Sequence, residues 1–153
     1  IPTSASLAVL LGGLMIYGIP NFKLPKEVWL EKWEQFERAG VKFAPNTYIG
    51  KDKTIDDLFN EGFEAVFIGV GSEIDAKMED TPGTDLPGVY EATDFLIRGN
   101  VKPELLPLEM KEPLKIGKGV VVIGGGDTAS DCLRTALRLV AEEVTCLYRR
   151  TEK

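Results

Sequence analysis

The C-terminal part of the sequence carries the most regular pattern of hydrophobic positions. An unbroken apolar run, GVVVIGG, begins at residue 119 and is typical of a buried strand. Apolar residues then recur at steps of three and four, which predicts a helix with one apolar face. That face comprises Ala129, Cys132, Leu133, Ala136, Leu137 and Val140. A second strand is predicted in EVTCLYRR, and strand, helix and strand in this order form a βαβ unit.

Capping signals predict two further helices in the first half of the chain. Helical spacing of apolar residues after Pro25 predicts a helix that ends at Gly40. The pair Thr54 and Asp57 has the spacing of a capping box and predicts a short helix that ends at Gly62. No glycine follows the C-terminal helix, so we expect its end, near residue 140, to be poorly defined.

Two other apolar stretches have the character of strands. VKFAP, from residue 41, alternates as a strand does, and EAVFIGVGS, at 64–72, reads as a strand covered on both faces. Residues 73–118 hold five of the nine prolines and are expected to form an irregular connection, with room for one short helix near EATDFLIRG.

One uncharged segment, residues 4–20, has the composition of an anchor or a signal peptide. Its apolar run is shorter than the ~20 residues that a spanning helix needs, and no lysine or arginine precedes it. We therefore predict a buried core segment and no membrane partner.

The overall charge limits the classes of ligand. A net charge of −6 argues against non-specific binding to nucleic acid or to anionic membranes, so an anionic ligand must be held by a local site. The sequence has no histidine, and its two cysteines, Cys132 and Cys146, form no CxxC pair, so no metal site is predicted. We expect both cysteines to be small buried residues of a protein in the reducing cytoplasm.

A glycine-rich turn joins the predicted strand to the predicted helix. In Gly124-x-Gly126-x-x-Ala129, the first glycine permits a tight turn and the second lets the backbone approach a pyrophosphate. The N-terminus of the helix supplies N–H groups and a positive dipole end for that anion. The candidate pyrophosphate site comprises Gly124, Gly125, Gly126, Asp127 and Thr128. Asp127 is expected to cap the helix and not to catalyse; the alternative is a glycine-rich turn without a ligand.

The end of the second strand predicts which nucleotide is bound. A domain that binds NAD usually has an acidic residue there, which accepts a hydrogen bond from the ribose 2′-hydroxyl. This sequence has Arg149 and Arg150 instead, and their guanidinium groups suit a 2′-phosphate. The sequence therefore favours NADP(H) over NAD(H), unless the two arginines are merely a solvated strand end.

Several stretches of the chain occur in the same order in a known family. They are GGLMIYGIPNFKLPK, GVKFAPNTYIGKDKTIDDLFNEGFEAVFIGVGS, LPGVYEATDFL, VVVIGGGDTASDCLRTALRL and EEVTCLYRR. They resemble the small (beta) subunit of NADPH-dependent glutamate synthase and its relatives. These relatives include the flavin half of dihydropyrimidine dehydrogenase and NADPH-linked ferredoxin oxidoreductase subunits.

The resemblance implies a flavoprotein that binds two dinucleotides. Its NADP(H) domain is inserted into an FAD domain, and hydride passes from NADPH to FAD. Electrons then leave through iron–sulfur clusters towards an iron–sulfur or flavin-containing partner subunit or domain. The resemblance implies FAD contacts at Gly12, Gly13, Leu14, Lys23, Ile49, Gly69 and Gly71. Each of these residues has a simpler alternative role in packing or in a solvated surface.

These inferences give an α/β fold in two parts. Residues 1–110 are expected to be a partial FAD-binding Rossmann-like domain with a linker, and residues 111–153 the first βαβ unit of a NADP(H)-binding Rossmann-like domain. The family's first FAD fingerprint and its cysteine-rich cluster domain have no counterpart in the sequence. We therefore expect an internal fragment of an NADPH:FAD oxidoreductase subunit that is inactive in isolation. The alternative is a non-catalytic nucleotide-binding or assembly module, and the open edge of the small sheet suggests a homo-oligomer.

Overall fold

The fold combines short helices with a small parallel sheet. The computed structural model describes residues 12–71, 75, 78, 81–106 and 108–149. Its helices and strands, in chain order, are α1 (Gly13–Tyr17), α2 (Lys26–Arg38), α3 (Ile55–Asn60), α4 (Ala92–Asn100), β1 (Gly119–Ile123), α5 (Asp127–Arg138) and β2 (Glu143–Leu147). Two 3-10 turns, Pro103–Leu105 and Leu108–Met110, lie between α4 and β1.

The predicted βαβ unit is confirmed. β1 and β2 are parallel, with Gly119 opposite Glu143 and Ile123 opposite Leu147. Because parallel strands must be joined by a crossover, α5 runs back beside the sheet between them. The carboxyl ends of both strands therefore lie at the same edge of the sheet, next to the start of α5.

The apolar face predicted for α5 is only partly correct. Ala129, Cys132 and Ala136 are buried as expected. Leu137 and Val140 are 56% and 85% exposed, so the prediction was wrong for them. Asp131 and Thr135 are buried in their place, because the 20–24 loop contacts Asp131 and α4 packs against Thr135.

Helix α4 connects two hydrophobic clusters. The first cluster comprises Ile16, Tyr17, Ile97, Leu106 and Met110. The second comprises Phe95, Leu96, Cys132, Ala136 and Ala141. The short helix predicted within the irregular connection at 73–118 is therefore confirmed. The helix that lies between the proline-rich stretches is a central packing element.

The uncharged N-terminal segment contributes to the core as predicted. Ile16 and Tyr17 of α1 are 6% and 3% exposed. Residues 4–11 of the segment lie outside the described residues. In the described part of the chain, no helix has the length and apolar character that a membrane span requires.

The capping predictions for α2 and α3 are confirmed. The Thr54 hydroxyl accepts a hydrogen bond from the Asp57 N–H, and the Asp57 carboxylate accepts one from the Thr54 N–H. Gly40 and Gly62 follow the two helices with φ angles of 90° and 97°, in the left-handed region that glycine favours.

The end of α5 is well defined, which corrects the expectation from the sequence. The Ala141 N–H donates to the Ala136 carbonyl at 3.2 Å, and Val140 between them has a φ angle of 68°. This hydrogen bond and the left-handed residue are two features of a Schellman motif, with valine at the position that glycine usually occupies.

The prediction of two strands outside the βαβ unit was wrong. Residues 41–45 and 64–71 form no strand, and Phe67 is 94% exposed and Val70 77% exposed. A strand needs a neighbour for its hydrogen bonds, and no other segment of the described residues pairs with either stretch. An apolar sequence alone therefore does not form a ladder.

Candidate dinucleotide-binding site

The glycine turn lies where β1 ends and α5 begins. Gly124 has a φ angle of 133°, and a Cβ at this position would lie 3.3 Å from Ala129 Cβ. Its N–H donates to the Leu147 carbonyl at 2.9 Å, so the turn is attached to the end of β2. Backbone conformation and close packing therefore both favour glycine at residue 124.

The next glycine contacts a residue that sequence reasoning missed. A Cβ on Gly125 would lie 2.5 Å from Tyr148 Cδ2 and 3.0 Å from Tyr148 Cγ, so the tyrosine ring lies directly against this glycine. The sequence feature that could have indicated this contact is the aromatic residue directly before the arginine pair, Tyr148. The ring joins the end of the second strand to the glycine turn.

Gly126 differs from its neighbours because nothing fills the space beside it. No heavy atom lies within 4 Å of the position that a Cβ would occupy there. Its φ angle of −88° is accessible to any residue, so the described structure itself does not require glycine at this position.

The first turn of α5 has no side-chain cap. Gly126 is the N-cap residue, and Asp127 is the first residue of the helix, so the expectation that Asp127 caps the helix was wrong. The Asp127 side chain is fully exposed, and Thr128 is exposed beside it. The N–H groups that begin an α-helix lack helical partners and remain available to an anion.

The cationic end of β2 lies at the same edge of the sheet. Arg149 is exposed and directly follows Tyr148, whose ring covers Gly125. Arg150 lies outside the described residues. The structure thus brings the glycine turn together with the segment that carries Arg149.

The two cysteines have different environments. Cys132 is buried as predicted, and burial raises the pKa of its thiol to about 11, so the group is protonated at neutral pH. Cys146 is exposed, so the prediction of a buried residue was wrong, and its thiol donates to the Gly124 carbonyl at 3.1 Å. This contact adds a second link between β2 and the glycine turn.

The residues expected to line a flavin include the start of α1. Gly12 has a φ angle of 143°, and a Cβ there would overlap the Trp29 indole nitrogen and lie 2.5 Å from Ile16 Cγ1. Gly13, with a φ angle of 46°, has open space beside it, and Leu14 is 58% exposed. Packing thus explains Gly12, whereas Gly13 and Leu14 present an open, uncharged surface.

A half-buried lysine holds α1 against α2. The Lys26 ammonium donates to the carbonyls of Met15, at 2.7 Å, and Ile19. Burial lowers the pKa of Lys26. These hydrogen bonds fix the segment that follows the open surface at Gly13 and Leu14.

The other expected flavin contacts lie in exposed segments. Ile49 is 46% exposed in a turn that is closed by the Gly50 N–H, which donates to the Lys53 carbonyl at 2.7 Å. Gly69 and Gly71 are exposed, and Gly71 has a φ angle of 73°. Their expected flavin contacts stay predictions.

Lys23 contacts α5. Its ammonium lies 3.3 Å and 3.2 Å from the two carboxylate oxygens of Asp131 and 3.9 Å from the carboxylate of Asp127. The residue expected to face a flavin is therefore paired, in this structure, with the helix that follows the glycine turn.

The chain is similar to several proteins that are named as glutamate synthase small chains or as other oxidoreductases. No family model matches the chain. It is 43% identical over 145 residues to the glutamate synthase (NADPH) small chain of Escherichia coli, with 94% of the chain covered. It is 45% identical over 145 residues to the glutamate synthase (NADPH) small chain of Halomonas elongata, with 93% covered. It is 35% identical over 142 residues to the NADPH-Fe(3+) oxidoreductase subunit beta of Geobacter sulfurreducens, also with 93% covered.

These relatives are much longer than the chain. The chain spans 30% of the length of each of the two glutamate synthase small chains and 20% of the length of the Geobacter protein. The family resemblance seen in the sequence is confirmed: the chain is homologous, along nearly all of its length, to one segment of the glutamate synthase small chains and related oxidoreductases.

Proposed function

We propose that the chain is part of an NADPH:FAD oxidoreductase subunit like the glutamate synthase small chain. The subunit takes reducing equivalents from NADPH and passes them through FAD to an iron–sulfur or flavin-containing partner. The names of two relatives, a glutamate synthase (NADPH) small chain and an NADPH-Fe(3+) oxidoreductase subunit, support the use of NADPH. The glycine turn at the start of α5 is the proposed NADP(H) pyrophosphate site.

The open space beside Gly126 is the observation that carries this proposal. The described structure has no atom within 4 Å of a Cβ at Gly126, and the adjacent helix end has no side-chain cap. A pyrophosphate needs both an approachable backbone and free N–H groups, and the positive end of α5 stabilises its charge. A bound pyrophosphate would therefore explain why residue 126 is glycine, which packing within the chain does not explain.

The cationic end of β2 supports NADP(H) as the nucleotide. Arg149 is exposed beyond Tyr148, and Arg150 follows it in the sequence. Guanidinium groups make charge-assisted hydrogen bonds to a 2′-phosphate, whereas an acidic residue at this position would repel it. We propose that both arginines contact the 2′-phosphate.

The flavin side of the proposal involves the start of α1. Gly13 and Leu14 present an open, uncharged surface, which fits a flat aromatic ring system. We propose that Gly12, Gly13 and Leu14 line the flavin and that Ile49, Gly69 and Gly71 contact the rest of FAD. A bound flavin would supply the chemistry of accepting a hydride and releasing single electrons. The role of the chain is to bind and orient the two dinucleotides.

Removal of the two guanidinium groups tests the nucleotide preference. In the full-length protein, Arg149→Ala/Arg150→Ala is expected to weaken NADPH binding about 10- to 100-fold, because charge-assisted hydrogen bonds contribute about 1.5–3 kcal/mol. Binding of NADH should stay unchanged. Isothermal titration calorimetry with NADPH and with NADH measures both affinities.

A matched control removes an arginine from an unrelated surface ion pair. Arg38 pairs with Glu34 on α2 at 3.5 Å, and Arg38→Ala should leave the affinity for NADPH unchanged. Equal affinity of the wild-type protein for NADH and NADPH, with no effect of the double substitution, would overturn the proposed function.

A further inference from the structure

The loop that follows α1 contacts α5 directly through one row of charged side chains. The Phe22 ring lies 4.1 Å from Arg134 Cζ and 3.9 Å from Arg138 Cζ, measured from the ring centroid, and Lys23 pairs with Asp131. The row on α5 comprises Asp127, Asp131, Arg134 and Arg138. Their spacing of four, three and four residues places them on one side of the helix. We call these four side chains, together with Phe22 and Lys23, the α5 latch.

The ion pair at the centre of the latch is specific. The Asp131 side chain is 9% exposed, and both of its oxygens lie within 3.3 Å of the Lys23 ammonium. A carboxylate removed from water is costly unless a cation compensates it. Among the described residues, Lys23 is the cation that pairs with Asp131. The position of Lys23 is therefore set by α5.

The latch provides a second connection between α1 and α5. The hydrophobic clusters join the two helices only indirectly, since Ile16 and Tyr17 pack with Ile97 of α4, and other residues of α4 pack with α5. The latch instead joins the 20–24 loop directly to α5, from Asp127 in its first turn to Arg138 in its last. Asp131 lies about one helical turn after Asp127, where the helix and the glycine turn meet.

On the basis of the proposed function, we infer that Lys23 is a positioning residue for hydride transfer and not a ligand of the flavin. By pairing with Asp131, Lys23 fixes the helix that carries the NADP(H) pyrophosphate relative to the flavin-lining start of α1. Hydride transfer requires the two rings at a defined distance and orientation, and a misplacement of about 1 Å costs about 100-fold in rate.

The test removes the ammonium from the full-length, flavin-loaded protein. Lys23→Met is expected to retain the flavin content and to keep the Kd for NADPH within about threefold. At saturating NADPH, the rate of flavin reduction in a stopped-flow experiment should fall about 10- to 100-fold. Lys23→Arg should restore most of that rate.

A readout independent of activity uses hydrogen–deuterium exchange of the protein without nucleotide. Amides in the first two turns of α5 should exchange faster in Lys23→Met, because their neighbour no longer fixes them. Lys118→Met is the matched control, since Lys118 pairs with Glu142 at 3.0 Å at the other end of the strands. The control should match the wild-type protein in all of these measurements.

Two results would overturn the inference. Loss of bound flavin in Lys23→Met would show that Lys23 holds the flavin, and a wild-type reduction rate with unchanged exchange would show that the latch positions nothing. If Lys23→Met does not fold, Asp131→Asn replaces it with the same expectations. Where both single variants fold, the double substitution should be no slower than the slower single variant, and additive effects would contradict the pairing.

The latch and the proposed function can fail separately. If the arginine substitutions act as expected while Lys23→Met behaves as wild type, only the latch is wrong. If the wild-type protein does not prefer NADPH, the proposed function itself is wrong, whatever the Lys23 variants do.

Discussion

The Tyr148 ring occupies the place that a side chain on Gly125 would need. The first and third glycines of the turn were assigned roles from the sequence, but the role of the middle one depends on this ring. Since Gly125 has no positive φ angle, its requirement for glycine comes from the neighbour and not from its own backbone. Alanine substitutions at Gly125 and at Gly126 should therefore have different effects on stability, although the two glycines look alike in the sequence.

Gly125→Ala is expected to destabilise the protein by about 1 kcal/mol, because the new methyl group displaces the Tyr148 ring. Gly126→Ala should leave the free energy of unfolding within about 0.5 kcal/mol and weaken NADPH binding, since only the nucleotide approaches that position. Urea unfolding and nucleotide titration measure the two effects. Destabilisation by Gly126→Ala that equals the Gly125→Ala effect would contradict this explanation.

Val140 is a β-branched residue in the left-handed region. Its φ angle is 68°, which is an unfavourable backbone conformation for a β-branched residue. Because Val140 is 85% exposed, burial does not compensate this cost. Glycine adopts this conformation without a clash of Cβ.

Val140→Gly is expected to raise the free energy of unfolding by about 1 kcal/mol, because the left-handed conformation costs a residue with a Cβ roughly 1–2 kcal/mol. Val140→Ala, which keeps the Cβ, should recover much less. Denaturant unfolding of both variants measures the difference. A glycine variant that is no more stable than the alanine variant would show that the strain is absent.

Residue-scale features were predictable where their causes are local. The glycine turn and the capping box depend on neighbours within a few residues, so the sequence was sufficient for both. The contact of Lys23 with Asp131 joins residues 108 positions apart, and no local pattern indicates it. The expectation that Lys23 faces a flavin came from resemblance alone, and it is the alternative to the positioning role that we infer from the contact with Asp131.

At the scale of elements, helices were predicted better than strands. Helices α2, α3 and α5 form their hydrogen bonds internally, so periodicity and caps were sufficient to locate them. The apolar stretches at 41–45 and 64–72 have strand composition, but a strand depends on a partner that is remote in sequence. The described residues supply such a partner only for β1 and β2.

Helices α4 and α5 approach closely at a glycine. A Cβ on Gly99 would lie 2.9 Å from Thr135 Cγ2 and 3.2 Å from Leu139 Cδ1. The Asn100 amide donates to the Thr135 hydroxyl at 3.3 Å beside this contact. The two helices can therefore approach this closely only because Gly99 has no side chain.

Gly99→Val is expected to destabilise the protein by about 1–3 kcal/mol, because the added side chain forces the helices apart. The reduced backbone entropy of the unfolded chain offsets only part of this cost. Gly119→Val is the control, since nothing lies within 4 Å of a Cβ on Gly119. Equal unfolding midpoints for the two variants in urea would contradict the close-packing explanation.

At the scale of the whole molecule, the chain is acidic but places cations where the proposed nucleotide binds. The net charge is −6, yet Arg149 follows β2 and Lys23 lies beside the acidic start of α5. Arg149 adds a positive charge at this edge of the sheet, whereas the Lys23 charge is compensated by Asp127 and Asp131. The expectation that an anion is held by a local site stays a prediction.

The small sheet leaves strand edges without a neighbour in the described part of the chain. β1 pairs with β2 alone there, so each of the two strands has one edge without a partner strand. Such edges can pair with another chain or with a further strand. The homo-oligomer suggested by the sequence rests on these unpaired edges and stays a prediction.

The position of α4 between two cores restricts how this region can change length during evolution. Phe95 and Leu96 belong to one core and the adjacent Ile97 to the other, so consecutive positions serve different neighbours. An inserted residue would turn the rest of the helix by about 100° and misdirect side chains in both cores at once. Exchanges between apolar residues of similar volume should be tolerated in α4 far more readily than insertions or deletions.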